Sequence, residues 1–168
     1  MVFNSLSCFA EWTNSGSTET CGPQEWGGLI LTGCGESNEC TDASSPFANS
    51  CNFLLEGFLT PFYAGGRDNG AFVANDDNSG SLEYLVVRQA GFDIDGNGNE
   101  LNAITMFMIG SGTSMSYAQV HDNVDDGLEW FGGAFNVDHT VHTAIRDDSI
   151  DTDLGLSLIH ISEPTRRS

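Results

Sequence analysis

The chain alternates short apolar runs with clusters of Gly, Asn, Asp and Ser, and two sets of these runs recur along it. In the first set, DDGLEW at residues 125–130 returns as DDSIDT at residues 147–152, an interval of 22 residues. NAITM at residues 102–106 fits the same frame as DGLEW at residues 126–130, which begins 24 residues later. Acid, turn and apolar positions keep one register in these rows. Recurrence at an interval of this size predicts a solenoid.

The second set of runs lies between the rows of the first and comprises LEYLVV at 82–87, MSYAQV at 115–120 and VDHTVH at 137–142. Its intervals are 33 and 22 residues, and the polar segment GFDIDGNGN at 91–99 can hold the extra residues as a loop. Short β-branched or aromatic runs bounded by turn residues predict strands rather than helices. Two sets with one period predict at least two strands per coil, and stacking buries the apolar face that a single coil leaves exposed.

Individual positions in these rows also carry expectations. Leu128 and Ile150 are equivalent, so we expect both to face one interior, where a carboxylate in place of either would unfold the repeats. His139 takes the position that Tyr84 and Tyr117 hold in earlier rows, which predicts a packing residue rather than a metal ligand or catalytic base. His139 and His142 are three residues apart, so a regular strand would place them on opposite faces.

Five ordered strings carry a resemblance to a known group of proteins, namely PQEWGGLI at 23–30, DNSGSLEY at 77–84, NELN at 99–102, DDGLEWFGG at 125–133 and DDSID at 147–151. The pattern resembles secreted bacterial right-handed parallel β-helix proteins over roughly residues 24–155, apart from residues 33–63. The resemblance implies an all-β fold, a right-handed parallel β-helix with coils of about 22 residues. It further implies an exported protein with a Cys-containing insertion at residues 33–63, and it carries over no catalytic residues.

The two ends of the chain lie outside this pattern. LSLIHISEPTR at 156–166 resembles the in-frame translation of a transposase adapter used in short-read DNA library preparation. The resemblance implies a single β-helix domain at residues 1–155 and a non-native tail at residues 156–168 that takes no part in the fold. Residues 1–8 lack the basic start and long apolar run of a signal peptide. We therefore expect a fragment of a secreted or cell-surface protein whose signal was lost with a missing N-terminal part.

The charge balance restricts the possible partners. The chain has no Lys and five Arg against 24 acids, which gives a formal net charge of −19. Nucleic acids and anionic membranes require Lys and Arg to neutralise phosphate, so neither is an expected partner. The same field disfavours anionic polysaccharide and favours cations. No apolar run approaches the roughly 18 residues of a transmembrane helix, so no membrane insertion is predicted.

All five cysteines precede the repeats, at Cys8, Cys21, Cys34, Cys40 and Cys51. Clustering in a region rich in turn residues favours disulfides formed in an oxidising compartment. An odd number leaves at least one thiol unpaired within the chain. A zinc site is the alternative, but the chain has no Cys-x-x-Cys pair.

One candidate cation site is the segment DIDGNGNE at residues 93–100. Asp93, Asp95 and Asn97, followed by Gly, match the start of an EF-hand calcium loop. Position 12 of that loop would be Ile104 instead of the bidentate Glu, so the segment is not an EF-hand. A calcium loop of another kind, closed by Glu100, and a plain Asn-Gly turn both remain open.

The recurring acids form a second candidate site. Coils in a β-sheet stack about 4.8 Å apart, and two like charges at about 5 Å repel by roughly 3 kcal/mol at an effective dielectric of 20. Calcium, backbone N–H donors, protonation or solvent exposure could relieve this repulsion, and turn carboxylates that accept backbone N–H groups are the structural alternative to calcium. The expected pairs are Asp125 with Asp147, Asp126 with Asp148, and Glu129 with Asp151. The predicted calcium ligands are these six residues together with Asp93, Asp95 and Glu100.

These features favour an exported β-helix scaffold that acts as a cell-surface or extracellular binding module, stabilised by calcium, with carbohydrate or a cell-surface component as partner. Oligomeric state stays open. The alternative is a polysaccharide-active enzyme, either a hydrolase using Asp126, Asp147 and Asp148 or a lyase, for which Arg88 and Arg146 are the basic candidates within the repeats. The Gly-His-Gly and Arg-x-Lys motifs of polygalacturonase-like hydrolases are missing, as are Ser-His-Asp, P-loop and dinucleotide-binding patterns.

Overall fold

The computed structural model describes residues 1–4, 21–35, 37 and 75–156. These residues form strands joined by turns and loops, and no helix among them is long and apolar enough to cross a membrane. The strands are β1 (Val2–Phe3), β2 (Leu29–Thr32), β3 (Ser81–Arg88), β4 (Ile104–Phe107), β5 (Ser114–Asn123), β6 (Leu128–Phe131), β7 (Asn136–Ile145) and β8 (Ile150–Asp153).

The strands lie in two parallel four-stranded sheets. One sheet has the order β1-β3-β5-β7 and the other β2-β4-β6-β8, so the chain alternates between the sheets and each coil supplies one strand to each. Met115 aligns with Val137 in the first sheet, and Leu128 with Ile150 in the second. Both intervals are those predicted from the sequence, and so are the longer steps from β3 to β5 and from β4 to β6. The prediction of an all-β parallel β-helix is confirmed.

One coil precedes the rows recognised in the sequence. β1 pairs with β3 through Val2 and Val86, and β2 pairs with β4 through Leu29 and Ile104. The predicted insertion at residues 33–63 falls largely outside the described residues and stays a prediction. At the other end, Leu156 packs against the core. This contact concerns only the first residue of the expected tail. Residues 157–168 lie outside the described part, and the non-native origin and dispensability of the tail stay predictions.

The core fills the space between the two sheets because alternate side chains of each strand point inward. Burial of a large apolar side chain contributes about 1.5–3 kcal/mol, and this layer is the main source of stability in the coils. Its side chains are each at most 7% exposed and include Leu85, Val87, Met115, Ala118 and Val120 from the first sheet, and Ile104, Met106, Leu128 and Trp130 from the second.

Each of the last three coils turns at three corners, where one residue adopts a positive φ. The residues at these corners have φ values between 50° and 64° and recur at the strand intervals. A left-handed conformation costs an L-residue about 1–2 kcal/mol. Eight non-glycine residues adopt it because every coil must turn at the same point as the coil on which it stacks. The three sets are Tyr84, Tyr117 and His139; Gln89, Asp122 and Ala144; and Met108, Gly132 and Leu154.

The first corner forms an aromatic ladder on the outside of the helix. The rings of Tyr84 and Tyr117 stack with centroids 4.8 Å apart, and Tyr117 stacks on His139 at 4.6 Å. His139 thus shares the Tyr position as predicted, although the ladder is exposed and not internal. His142 lies on the other side of the sheet, in register with inward-facing Val120, and its ring nitrogens are buried. The expected opposite placement of the two histidines is confirmed.

The second sheet shows that equivalent positions are not equally buried. Leu128 is fully buried between β4 and β8, whereas Ile150 is 43% exposed. Ile150 belongs to β8, the last strand in the described sheet order, so one flank of its side chain has no neighbouring coil among the described residues. Ile150 is therefore not enclosed in the interior as Leu128 is, and the effect of a carboxylate at either position stays a prediction.

Truncation at these two positions should have different effects. Leu128→Ala should lower the free energy of unfolding by about 2–5 kcal/mol because it leaves a cavity in the closed part of the core. Ile150→Ala, its matched control at the same register, should cost less than about 1.5 kcal/mol because the site can collapse or hydrate. Urea titration of both variants measures the difference, and equal losses would contradict the assigned difference in burial.

Candidate metal centre

The acid pairs lie where the chain enters the second sheet. Two pairs are in the turns before β6 and β8, and the pair of Glu129 and Asp151 is in those strands. Gly127 is required here because a Cβ atom would lie 2.5 Å from Nδ1 of His142 and 2.8 Å from the carbonyl oxygen of Ser149. Its own N–H donates to the carbonyl of Asp148 at 2.9 Å. Close approach of the two turns therefore depends on the absence of a side chain at residue 127, and it brings both acid rows together.

Asp126 is held in position from three sides. Its carbonyl oxygen accepts from the N–H of Ala103 at 2.9 Å and from Nδ2 of Asn123 at 2.9 Å. Its carboxylate Oδ1 accepts from the backbone N–H of Asp148 at 2.9 Å. This last bond is a backbone N–H donor to a stacked acid, one of the ways in which the sequence allowed the repulsion to be relieved. Asp126 and Asp148 therefore meet through the side chain of Asp126 and the main chain of Asp148.

Two groups of three carboxylates converge in this region, and Asp126 belongs to both. The first is Asp125, Asp126 and Asp147, and the second is Asp126, Glu129 and Asp151. Within each group one oxygen from every residue lies within 4.8 Å of the others. Three oxygens at this separation can share a cation at the 2.3–2.6 Å typical of calcium. The predicted contacts of Asp125 with Asp147 and of Glu129 with Asp151 are therefore present.

Burial makes the second group costly as bare charge. Asp126 is 7% exposed and Glu129 is 5% exposed. Glu129 projects from the outer face of β6 because Leu128 and Trp130, its neighbours in the strand, face the core. The side-chain amide of Asn102, which is 2% exposed, donates to the Glu129 carboxylate.

The electrostatic cost is concentrated at Asp126. Burial raises the pKa of Asp126 from 3.8 to about 6, the backbone bond from Asp148 lowers it, and the charges of Asp125, Asp151 and Asp147 raise it again. A bound cation would reverse this trend because it favours the charged form. The arrangement therefore suits either a metal ion or a carboxyl group that keeps its proton at mildly acid pH.

The remaining predicted ligands belong to neither group of three. Asp148 is exposed and contributes its N–H to Asp126, as described. In the loop after β3, Asp93 accepts from the N–H groups of residues 95, 96 and 98. Asp95 accepts hydrogen bonds from the N–H of Asn97 and from the side chain of Asn99. Both bonds lower the pKa of Asp95, and the backbone bond from Asn97 has the larger effect. This loop is thus tied by its own carboxylates, and calcium at Asp93, Asp95 and Glu100 stays a prediction.

The histidines and the thiol fall outside the acid groups. His142 rests over Gly127 with both ring nitrogens buried and without a hydrogen-bond partner in the described part of the chain, and burial lowers its pKa. His121 contacts Thr143 of the next coil through Nδ1 at 2.7 Å. Cys34 carries a free thiol, as an odd cysteine count requires of at least one residue. Because Cys8, Cys40 and Cys51 lie outside the described residues, the disulfide prediction is not tested.

One contributor to the centre was missed at the level of sequence. Asn102 occupies the same frame position as Asp126 and Asp148, two residues before the aligned Ile104, Leu128 and Ile150. The alignment of NAITM with DGLEW contains this equivalence, but Asn102 has an amide where the later rows have carboxylates. An amide aligned with acids at one repeat position is the sequence signal that identifies Asn102.

The fold and the site define a parallel β-helix with a carboxylate cluster at the start of one sheet. Residues 13–157 match the family model of the pectate-lyase-like beta helix domain. This match spans most of the chain, which therefore belongs to that family. No curated protein and no solved structure matches the chain significantly. Export and the adapter origin of the tail remain predictions.

The raised pKa of Asp126 predicts a specific pH dependence. Between about pH 3.8 and 6 the folded protein binds more protons at this site than the unfolded chain, so its contribution to stability falls as the pH rises and is lost above about 6. In chelator, Asp126→Asn should therefore raise the free energy of unfolding by about 1–2 kcal/mol at pH 8, once solvent screening is allowed for, and change it little at pH 4. Urea titration at both values is the measurement. Asp138→Asn, an exposed control, should show no such difference, and an equal effect of Asp126→Asn at both pH values would exclude the burial cost.

Proposed function

We propose that this chain is part of an exported β-helix binding module whose last two described coils are held together by calcium. The observation that carries the proposal is the pair of converging carboxylate groups that share Asp126. Each group joins a residue of the turn before β6 to a residue of the turn or strand one coil further on. A cation bound there would cross-link successive coils, which in a solenoid is where stability resides.

The charge of the chain favours a cation over the alternatives for relieving repulsion. The five Arg of the chain are far fewer than its 24 acids, and its net charge of −19 attracts divalent ions from solution. Solvent exposure serves Asp147, but Asp126 and Glu129 are buried. The backbone bond from Asp148 satisfies one oxygen of Asp126. Calcium suits the site because it binds several carboxylate oxygens in flexible geometry.

Calcium should therefore stabilise the parent protein at neutral pH. The gain follows RT ln(1 + [Ca]/Kd), which is about 2.7 kcal/mol at a hundredfold excess over Kd. For a chain of this length a gain of that size corresponds to a rise of roughly 5–10 °C in melting temperature. Differential scanning calorimetry in calcium and in chelator measures it, with sodium chloride at matched ionic strength as the screening control.

A double variant separates specific binding from screening. Asp126→Asn with Glu129→Gln removes both buried charges, so it should be at least as stable as the parent in chelator and show no calcium response beyond that of matched sodium. Glu83→Gln with Asp138→Asn makes the same charge change at exposed positions and should keep the full response. A parent that melts identically in calcium and matched sodium would refute the calcium role.

The proposed partner is a neutral carbohydrate at the cell surface. The exposed ladder of Tyr84, Tyr117 and His139 supports this, since amphipathic rings on a surface supply apolar contact together with polar edges. Next to it on β3 and β5, the hydroxyl groups of Ser81 and Ser114 are hydrogen-bonded to each other at 2.9 Å and exposed. The negative field of the chain disfavours anionic glycans. The description of the family as pectate-lyase-like supports a polysaccharide as the class of ligand.

Affinity electrophoresis through gels containing neutral polysaccharides tests the binding role. Retardation of the parent is expected, with a several-fold loss on Tyr117→Ala, which breaks the ladder at its centre. Gln119→Ala, an exposed change two residues away on the same strand, should leave retardation unchanged. Equal retardation of all three proteins, or none, would count against the ladder as the binding face.

The raised pKa of Asp126 favours the second candidate, a polysaccharide-active enzyme, because a carboxyl group that keeps its proton is suited to general acid catalysis. The spacing bears on the type of hydrolase. The converging oxygens of Asp126 and Asp147 lie within 4.8 Å, which is nearer to the roughly 5–5.5 Å between carboxyl groups of retaining hydrolases than to the roughly 6.5–9.5 Å of inverting ones. Release of reducing or unsaturated ends from polysaccharide by the parent, abolished in Asp126→Asn, would establish the enzyme in place of the binding module.

A further inference from the structure

The outer aromatic ladder holds two phenol groups in face-to-face contact. Tyr84 of β3 and Tyr117 of β5 stack with ring centroids 4.8 Å apart and an angle of 7° between the ring planes. This separation is the spacing of neighbouring strands in a sheet. The two side chains are 65% and 47% exposed, so a reagent in solution has access to both rings.

The register of the sheet maintains this contact. Leu85 and Ala118, which follow the two tyrosines, are aligned partners in β3 and β5. Tyr84 and Tyr117 also share one corner conformation, with φ values of 53° and 56°, so both side chains leave the backbone in the same direction. Free aromatic pairs prefer offset or edge-to-face arrangements. The near-parallel contact of the two phenols is therefore imposed by the stacking of the coils.

The third ring of the ladder is not a phenol. His139 stacks on Tyr117 at 4.6 Å, and its Nδ1 lies 2.7 Å from the carboxylate oxygen Oδ1 of Asp138. The chain has three tyrosines, and Tyr63 lies outside the described residues. Within the described part of the chain, Tyr84 is therefore the phenol that is placed to react with Tyr117.

We propose that Tyr84 and Tyr117 are a site of oxidative cross-linking, at which a peroxidase with hydrogen peroxide joins the two rings through a carbon–carbon bond. Each phenol gives one electron and its hydroxyl proton to the oxidised peroxidase, which leaves two phenoxyl radicals in contact. The radicals form a bond between the ring carbons next to their oxygens. Each of these carbons then loses its hydrogen as a proton, and each oxygen regains a proton. One hydrogen peroxide takes up the two hydrogens and becomes two waters.

The bond clamps two successive coils together. It joins the strands β3 and β5 across an interval of 33 residues, which includes the polar loop at residues 91–99. A covalent bond between residues this far apart restricts the unfolded chain and so favours the folded state, by the argument that applies to a disulfide. All five cysteines precede residue 52, so the repeats contain no thiol that would form such a link. The tyrosine pair supplies it, independently of calcium and of carbohydrate.

Peptide mapping tests the proposal directly. The full chain is treated at low concentration with a peroxidase and hydrogen peroxide, and the monomer is isolated by size-exclusion chromatography, reduced and digested with trypsin. Cleavage after Arg67, Arg88 and Arg146 separates Tyr84, on peptide 68–88, from Tyr117, on peptide 89–146. Mass spectrometry should find these two peptides linked, with a mass lower than their sum by two hydrogens.

Matched variants identify the reacting groups. Tyr117→Phe keeps the stacked ring but removes the phenol, so it should abolish the link. Tyr63→Phe, the same change at the third tyrosine, should leave the yield of the link unchanged. In the parent unfolded in urea and treated with a photochemical one-electron oxidant, the yield should be at least about fivefold lower than in the folded parent under the same oxidant, because unfolding removes the enforced proximity.

Calorimetry tests the clamp. The cross-linked monomer should melt roughly 5–15 °C above the untreated parent, since the new bond closes a loop of 33 residues in the unfolded chain. Tyr117→Phe carried through the same treatment should show no such rise. A cross-linked monomer that melts like the parent overturns the clamp.

Other results overturn the cross-linking site itself. These are a treated parent without the link between peptides 68–88 and 89–146, the link confined to covalent dimers, and links that involve only Tyr63. An equal yield from folded and unfolded chains also overturns it, because the stacked contact would then play no part in the reaction.

Discussion

Parallel stacking of one coil on the next is the interaction on which the rest of this structure depends. In register, each side chain lies about one strand spacing from its equivalent in the neighbouring coil, so every position is a column of similar environments. Apolar columns gain from this arrangement and form the core. Aromatic columns gain as well, as Tyr84, Tyr117 and His139 demonstrate. Acidic columns are destabilised by repulsion between like charges, and local interactions must offset this repulsion.

The same stacking explains the left-handed corners. A coil can rest on its neighbour only if both turn at the same point, so a corner once formed is repeated by whatever residue occupies it. Asp122 suits such a conformation because its short polar side chain is tolerated there, while Ala144 at the equivalent corner of the next coil is strained, as is Leu154 at another corner. Strain at these residues is thus a consequence of register, and the backbone bonds of the neighbouring coil maintain it. Local preference is overridden by the repeat.

The sequence predicted the strand registers, because stacking makes similar residues recur. It did not predict the backbone conformations that stacking imposes on individual residues. The registers of Leu128 with Ile150 and of Met115 with Val137 were readable because similar residues recur at short intervals. The pairing of Leu29 with Ile104 was not aligned, because a long intervening segment separates the two strands. The corners at Tyr84 and its equivalents have no sequence signature, since tyrosine is an ordinary strand residue.

The candidate site was predictable to a similar degree. Register alone placed Glu129 over Asp151, and the structure agrees. It did not predict that Asp148 would contact Asp126 through its backbone, because the direction of a turn side chain is set by hydrogen bonds and not by its row. The exposure of Ile150 was equally hidden, since a repeat pattern gives no sign of which coil lies at the end of a stack. The role of Asn102 was not predicted, because its amide differs from the carboxylates of Asp126 and Asp148 at the equivalent position of the next two coils.

Within the described residues, the columns restrict the stacked acids to the last two coils. The column that contains Glu129 runs from Ile30 through Thr105 to Glu129 and Asp151, so it changes from apolar to hydroxyl to carboxylate along the helix axis. The column of Asp126 passes through Asn102 in the same way. Neutral polar residues in the second coil donate to or flank the acids of the third, and they end the repulsion there. A continuous acid ladder would place like charges together between every pair of coils, whereas in the described coils the stacked acids meet only between the last two. The acid cluster therefore has a neutral polar wall on the side of the second coil, and that wall limits the cluster in this direction.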